Sequence, residues 1–178
     1  MKNLIIVFLL IFMGCKNDAN IKPKVDKSVI KLWKNYLKAN PEIKNKSLPE
    51  SWYFHNNKKD ANRLTELIVS KKKTVFSSLY FSYKKTNQSL PKKGTQHIIT
   101  DFDGKAKVII EINKVDTIPF NKISKKYAEL DMGTNKEPLI KWKKAHWNFF
   151  KNKFKNSKQK PSQEMLIICQ EFKIVWPK

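Results

Sequence analysis

The stretch HIITDFDGKAKVIIEINKV, residues 97–115, decides the fold of this 178-residue chain. Two largely apolar runs, residues 97–101 and 105–115, stand on either side of the pair Asp103-Gly104. An Asp-Gly pair between two such runs is typical of a tight turn that joins antiparallel strands. The sequence therefore predicts a β-hairpin around Asp103-Gly104.

Helices and further strands are predicted on both sides of this hairpin. Apolar residues recur at helical spacing in four places, and two other runs have strand character. The predicted helices cover residues 26–39, 60–70, 119–128 and 139–150, and the predicted strands cover residues 74–83 and 165–175. Helices and strands interleave without the regular alternation of a parallel sheet. This pattern favours an α+β fold, a small mixed β-barrel with flanking helices and an N-terminal helix.

The first fifteen residues predict where the chain works. Lys2 gives a positive start, residues 4–13 are continuously apolar, and Gly14-Cys15 follows. The apolar run is too short to cross a hydrocarbon layer of ~30 Å as a helix, so it indicates a signal peptide. A small residue followed by cysteine is what a lipoprotein signal peptidase requires, and cleavage before Cys15 would leave its thiol free for lipidation.

We therefore expect a lipoprotein signal peptide at residues 1–15 that ends at the lipidated Cys15. A polar tether at residues 16–26 and one domain at residues 27–178 would follow. The alternative is an uncleaved N-terminal anchor in which Cys15 is incidental. Both interpretations place the domain outside the cytoplasm, anchored to the membrane of a bacterial cell envelope.

The charge of the chain points to an anionic partner but does not prove one. Lys and Arg number 37 against 15 Asp and Glu, which gives a net charge of +22. Such a charge is typical of nucleic-acid-binding proteins, yet Arg63 is the only arginine, and surfaces that bind phosphate usually use arginine as well. The lysines of residues 141–160 predict a basic ridge that attracts polyanions or anionic headgroups. An ordinary solvated surface in a lysine-rich protein is the alternative.

Cysteine and histidine give no sign of a metal or cofactor site. With Cys15 lipidated, Cys169 has no partner, and it lies in an apolar run, which predicts a buried structural thiol and no disulfide. The histidines His55, His97 and His146 show no spacing of metal ligands. The sequence therefore predicts no metal and no cofactor.

Between Pro49 and Trp176 the sequence carries a series of short motifs in a fixed order. They are Ser51-Trp52-Tyr53-Phe54, Ala61-Asn62, Leu64, Leu67-Ile68-Val69, Lys73-Thr74, Ser78-Leu79-Tyr80, Leu90-Pro91, Gly94, Pro119-Phe120, Tyr127-Ala128, Trp142, His146-Trp147, Phe149-Phe150, Met165 and Phe172. In this order and spacing the segment resembles the ASCH superfamily of PUA-like β-barrels. It is most similar to a bacterial branch with a helical N-terminal addition.

The resemblance implies a cleft between barrel and helices that faces nucleic acid or a nucleobase-like ligand. One kind of ASCH protein hydrolyses an acylated cytidine with a Lys-x-x-Thr pair and an acid three residues after an alanine. Threonine is the nucleophile, lysine accepts its proton, and the carboxylate orients both. Lys73 matches the lysine and Asp131 the acid, but Phe76 stands where the nucleophile is expected. The resemblance thus implies a scaffold that has lost its nucleophile.

Two substitutes for the missing nucleophile stay open. Lys71 and Thr74 keep the three-residue spacing in a shifted register, and Ser77 or Ser78 could reach the cleft instead. The residues that we expect to contact a ligand are Lys73, Thr74, Trp52, Ser78 and His146. Trp52 would stack on a base. His146 would either bind a polar ligand atom or join helix to barrel through a hydrogen bond.

Three functions follow from these expectations. The first is a membrane-tethered binding domain for an anionic or nucleobase-containing ligand, RNA or nucleotide-like, without turnover. The second is an extracytoplasmic amidohydrolase-type enzyme that uses Lys73 and Asp131. The third is a structural envelope lipoprotein with a vestigial cleft and an unidentified protein partner.

Overall fold

The computed structural model describes residues 25–155 and 157–177, and within them five strands form one sheet. The strands are β1 Ser51–Trp52, β2 Val75–Leu79, β3 Gln96–Thr100, β4 Ala106–Pro119 and β5 Leu166–Trp176. Their order across the sheet is β1-β3-β4-β5-β2. The pair β1 and β3 is parallel, and the other neighbours are antiparallel. The predicted signal peptide, Cys15 and nearly all of the predicted tether lie outside the described residues.

Five α-helices flank this sheet in the described part of the chain. They are α1 Lys27–Ala39, α2 Lys58–Val69, α3 Tyr80–Thr86, α4 Lys125–Met132 and α5 Pro138–Lys151. Side chains cap three of them at the N-terminus, because Asp26, Asn57 and Ser124 accept hydrogen bonds from backbone N–H groups of the first turn. The predicted α+β architecture of a mixed sheet with flanking helices is confirmed.

The central hairpin forms as predicted from strands β3 and β4. The Asp101 carboxylate accepts the backbone N–H groups of Asp103 and Lys105, which closes the turn. Gly104 has a φ of +80°, a conformation that side chains rarely adopt, so glycine suits this position.

Aromatic side chains bring the two edges of the sheet together. Trp52 in β1 and Phe76 in β2 belong to opposite edges, yet their ring centroids are 5.6 Å apart. No backbone pairing joins β1 to β2 among the described residues, so side chains close the barrel there. The two edge strands, β1 and β2, are therefore close together where Trp52 and Phe76 meet.

Helix α1 packs firmly onto the barrel. Its buried residues Val29, Trp33 and Tyr36 contact a core that includes Ile98 and Ile109 of the central hairpin. At its start the Asp26 carboxylate accepts a hydrogen bond from Lys105 Nζ, and Ser28 Oγ accepts one from the N–H of Ala106. The N-terminal helix is therefore an integral part of the domain.

One predicted strand is wrong in its second half. Strand β2 ends at Leu79, and the residues predicted to continue it form helix α3 instead. Leu79 pairs with Ile167, almost at the start of β5, so a longer β2 would find no partner for its backbone groups. Phe81 turns inward from α3 and stacks on Phe154 at 4.6 Å. The aromatic residues that suggested a strand thus pack as part of a helix.

No helix in residues 25–155 or 157–177 is long and apolar enough to cross a membrane.

Candidate functional site

A cavity of about 670 Å³ opens between the closed edge of the barrel and helices α2 and α5. Its walls are mainly aromatic, and they include Trp52, Phe54, Phe76 and Phe149. Its floor is polar and is formed by Lys73, Ser77, Asp131 and His146. Apolar walls around a few convergent polar groups are typical of small-molecule sites.

A buried ion pair between Lys73 and Asp131 forms the floor. Both residues are 3% exposed. The Lys73 ammonium donates hydrogen bonds to Asp131 Oδ1 and, at 2.9 Å, to the backbone carbonyl of Asp131. It also lies 5.4 Å from the centroid of the Phe54 ring. Because isolated charges are costly to bury, each group depends on the other to remain there.

The Asp131 carboxylate gathers further donors around it. Its Oδ2 accepts hydrogen bonds from Ser77 Oγ at 2.6 Å and from Trp142 Nε1 at 2.7 Å. Burial by itself would raise the pKa of Asp131, but the charge of Lys73 and these hydrogen bonds hold that pKa below its usual value. Asp131 is therefore ionised at neutral pH.

His146 both joins helix α5 to this cluster and faces the cavity. Its ring stacks on Trp142 at 4.2 Å, and its Nδ1–H donates to the carbonyl oxygen of Trp142 at 3.0 Å. Its Nε2 lies 3.4 Å from Asp131 Oδ2. Burial lowers the pKa of His146, and the Asp131 carboxylate opposes this only in part. At neutral pH the ring is thus uncharged.

Ser77 places a hydroxyl beside the ion pair, one residue after the position that the resemblance identified. Strand β2 pairs Ser77 with Cys169 of β5 and directs its side chain toward Asp131. Ser77 Oγ also lies 3.2 Å from the hydroxyl of Tyr127, which donates to the backbone carbonyl of Phe76 at 2.8 Å. An oxygen nucleophile is therefore present next to Lys73 and Asp131.

Phe76 serves the barrel core and the cavity wall at once. Its ring is 9% exposed and contacts Trp52, Phe54 and Phe172. It also lines the cavity together with Lys73. A phenyl ring at this position supplies packing and no reactive atom.

The structure brings most of the predicted site residues together, with one exception. Lys73, Asp131, Trp52, Ser78 and His146 all line the same cavity. Thr74 does not line it. Its backbone N–H donates to Leu130, and its carbonyl accepts from Phe172, so it ties β2 to neighbouring elements. The register that pairs Lys71 with Thr74 therefore places neither residue in the lining of the cavity, and the ligand contact expected of Thr74 stays a prediction.

Several site residues were missed by the sequence analysis. Tyr127 and Trp142 belong to the recognised motifs, but their hydrogen bonds to the cluster depend on how α4 and α5 pack. The charged residues Arg63 and Lys153 also line the cavity, and no sequence spacing links them.

Cys169 is buried, as predicted, and it forms no disulfide with any residue that the structure describes. Burial raises the pKa of its thiol to about 12, so it stays protonated and unreactive. In the part of the chain that the structure describes, no three His, Cys, Asp or Glu side chains come together as a set of metal ligands.

Comparison with known proteins identifies the family. The sequence profile of the ASCH domain matches residues 50–176, which is most of the chain. The chain belongs to the ASCH domain family. Its PUA-like fold, expected from the resemblance, is confirmed by solved relatives.

Two solved structures illustrate the relationship. The ASCH domain from Lactobacillus crispatus JV V101 is 26% identical with a TM-score of 0.77, and the match covers 86% of this chain and 98% of that one. Protein EF3133 from Enterococcus faecalis V583 is 33% identical with a TM-score of 0.74, covering 84% and 88% respectively. No curated protein matches the sequence.

The buried His146 predicts how stability changes with pH. Because its pKa is lowered on folding, the unfolded chain binds more protons just below the ordinary histidine value of 6.5. The free energy of unfolding should therefore fall as the pH falls from 7 to 5, measured by urea denaturation. His146→Gln should show a shallower fall, and the remainder should come from His97, whose pKa burial also lowers. Identical pH profiles for the two proteins would contradict this account.

Proposed function

We propose that the cavity binds a small ligand that contains a nucleobase and does not convert it. The observation that carries this proposal is the aromatic wall around a buried polar floor. ASCH domains share a PUA-like fold that is often used to bind RNA, which agrees with a ligand of this chemistry.

The walls suit a flat aromatic ring. Trp52 and Phe54 make an edge-to-face pair at 4.7 Å, and Phe149 is 47% exposed on the opposite helix α5. A base stacked on such side chains gains roughly 1–3 kcal/mol, whatever its identity. The exposed part of the Phe149 side chain therefore gives the ligand a platform at the opening of the cavity.

The floor suits the polar edge of a base. Ser78 offers a hydroxyl, which is already held by the hydroxyl of Tyr83 at 3.1 Å, and His146 offers a polar ring edge. Bases carry donors and acceptors side by side along one edge, so a mixed set of partners can orient them. Lys73 and Asp131 are bound to each other and shape the floor from below.

Two features favour binding over turnover. Lys73 Nζ donates two hydrogen bonds to Asp131, and among the described residues it has no hydrogen bond to a hydroxyl group that it could activate. Phe76 brings no nucleophile at the position that the resemblance identified, and the Ser77 hydroxyl one residue later donates its hydrogen bond to Asp131 and not to Lys73. In this arrangement the ion pair acts as a structural support for the ligand site.

Hydrolysis by Ser77 is a second candidate, and the 2.6 Å hydrogen bond from Ser77 Oγ to Asp131 is the observation in its favour. Asp131 would accept the hydroxyl proton as Oγ bonds to the carbonyl carbon of an amide. The C–N bond would then break, the amine would leave with that proton, and water would hydrolyse the ester left on Ser77.

Titration calorimetry with cytidine, uridine, adenosine and guanosine tests the binding proposal. At least one nucleoside should bind saturably, and Phe149→Ala should weaken that binding by about tenfold through loss of stacking. Ile140→Ala is the matched control, since Ile140 lies on the same helix, is 66% exposed and does not line the cavity. Absence of binding by all four nucleosides would refute the proposal.

The same samples separate binding from turnover. After incubation with an acylated cytidine, chromatography should recover the ligand intact. Release of the acyl group that is lost in Ser77→Ala, but not in Ser82→Ala, would instead establish the hydrolase. Ser82 is the matched control because it lines the cavity and has no hydrogen bond to Asp131.

We also propose that lipid on Cys15 holds the domain at the envelope membrane. This rests on the sequence of residues 1–15, which lie outside the described part of the structure. Cells that express the chain should incorporate labelled palmitate into it, and Cys15→Ser should abolish incorporation and release the protein from membranes. Recovery of unlabelled wild-type protein in the cytosol would contradict the proposal.

A further inference from the structure

The mouth of the cavity differs in charge from its floor. On the floor the charge of Lys73 is balanced by Asp131. At the mouth Arg63 and Asp60 form an ion pair at 3.3 Å, in which the Arg63 side chain remains 49% exposed. Lys153 completes the mouth and has no acidic partner within 4 Å among the described residues. The lining of the cavity therefore carries one positive charge in excess.

The excess positive charge, on Lys153, contacts the aromatic ring of Phe149. Lys153 Nζ lies 5.2 Å from the centroid of the Phe149 ring, so the cation sits over the side chain that we propose as a stacking surface. A ligand with its base inside the cavity would carry its remaining part past Phe149 toward Lys153 and Arg63. The Asp60 carboxylate also lines the mouth, and Arg63 offsets its charge.

We infer that the ligand is a nucleoside phosphate, with its base between the aromatic walls and its phosphate at Lys153 and Arg63. This inference rests on the proposed binding of a nucleobase and adds the anionic group and its position. Both cations are exposed to water, so the phosphate contributes a modest part of the affinity, which salt weakens. The base supplies the rest.

Calorimetry with each nucleoside and its 5′-monophosphate, at low and at high salt, tests the inference. At low salt the monophosphate should bind about threefold to fivefold more tightly than the nucleoside, and high salt should reduce this difference. Lys153→Gln should weaken monophosphate binding more than nucleoside binding and so remove most of the difference. Lys151→Gln is the matched control, because Lys151 is also exposed in the same segment but does not line the cavity.

The possible outcomes distinguish this inference from the function on which it rests. If a nucleoside binds and its monophosphate binds no more tightly, the phosphate position is wrong and the binding proposal stands. Equal weakening of both ligands by Lys153→Gln would also overturn the inference, because the lysine would then act on the base. If neither nucleosides nor monophosphates bind, both proposals fail.

Discussion

The buried ion pair between Lys73 and Asp131 is the interaction on which the site depends. Lys73 precedes strand β2, and Asp131 lies in the last turn of helix α4. The remaining carboxylate oxygen accepts from Ser77 of β2 and Trp142 of α5. One carboxylate therefore fixes three elements relative to one another. Two charges taken from water are costly, and only this full set of hydrogen bonds makes their burial tolerable.

The aromatic side chains follow from the same geometry. Strand β2 places alternate residues on opposite faces, so Ser77 meets the carboxylate while Phe76 turns into the core and the cavity wall. The ring of Phe76 reaches Trp52 on the other edge of the sheet and helps to close the barrel. The position that would hold a nucleophile thus serves closure. At this point the cavity has an aromatic wall, and the hydroxyl of Ser77, one residue later, faces the carboxylate of Asp131.

The sequence correctly predicted the elements that are determined by residues close to one another along the chain. The Asp103-Gly104 pair predicted the hairpin, helical periodicity predicted α1, and the surrounding apolar run predicted that Cys169 is buried. The structure has all three features. The end of β2 at Leu79 could not be predicted, since it is set by where β5 begins. The proximity of Lys73 to Asp131 came from family resemblance, because 58 residues separate them along the chain.

For a similar reason, the sequence could not predict which side chains contact one another at the site. Whether Ser77, Ser78 or Thr74 reaches the cavity depends on the register and the twist of strand β2. Neither of these can be derived from the amino-acid composition. The same holds for Lys153, which meets Phe149 only because a short 3₁₀ helix at Asn152–Phe154 continues α5. Side-chain direction in the folded protein decided each of these cases.

A double-mutant cycle on the ion pair tests the central claim most directly. Lys73→Met and Asp131→Asn should each lower the free energy of unfolding by about 3–5 kcal/mol, because each leaves a buried group without its partner. The double variant should lose clearly less than the sum of the two. Strictly additive losses in urea denaturation would show that the pair is not coupled, and would contradict the account.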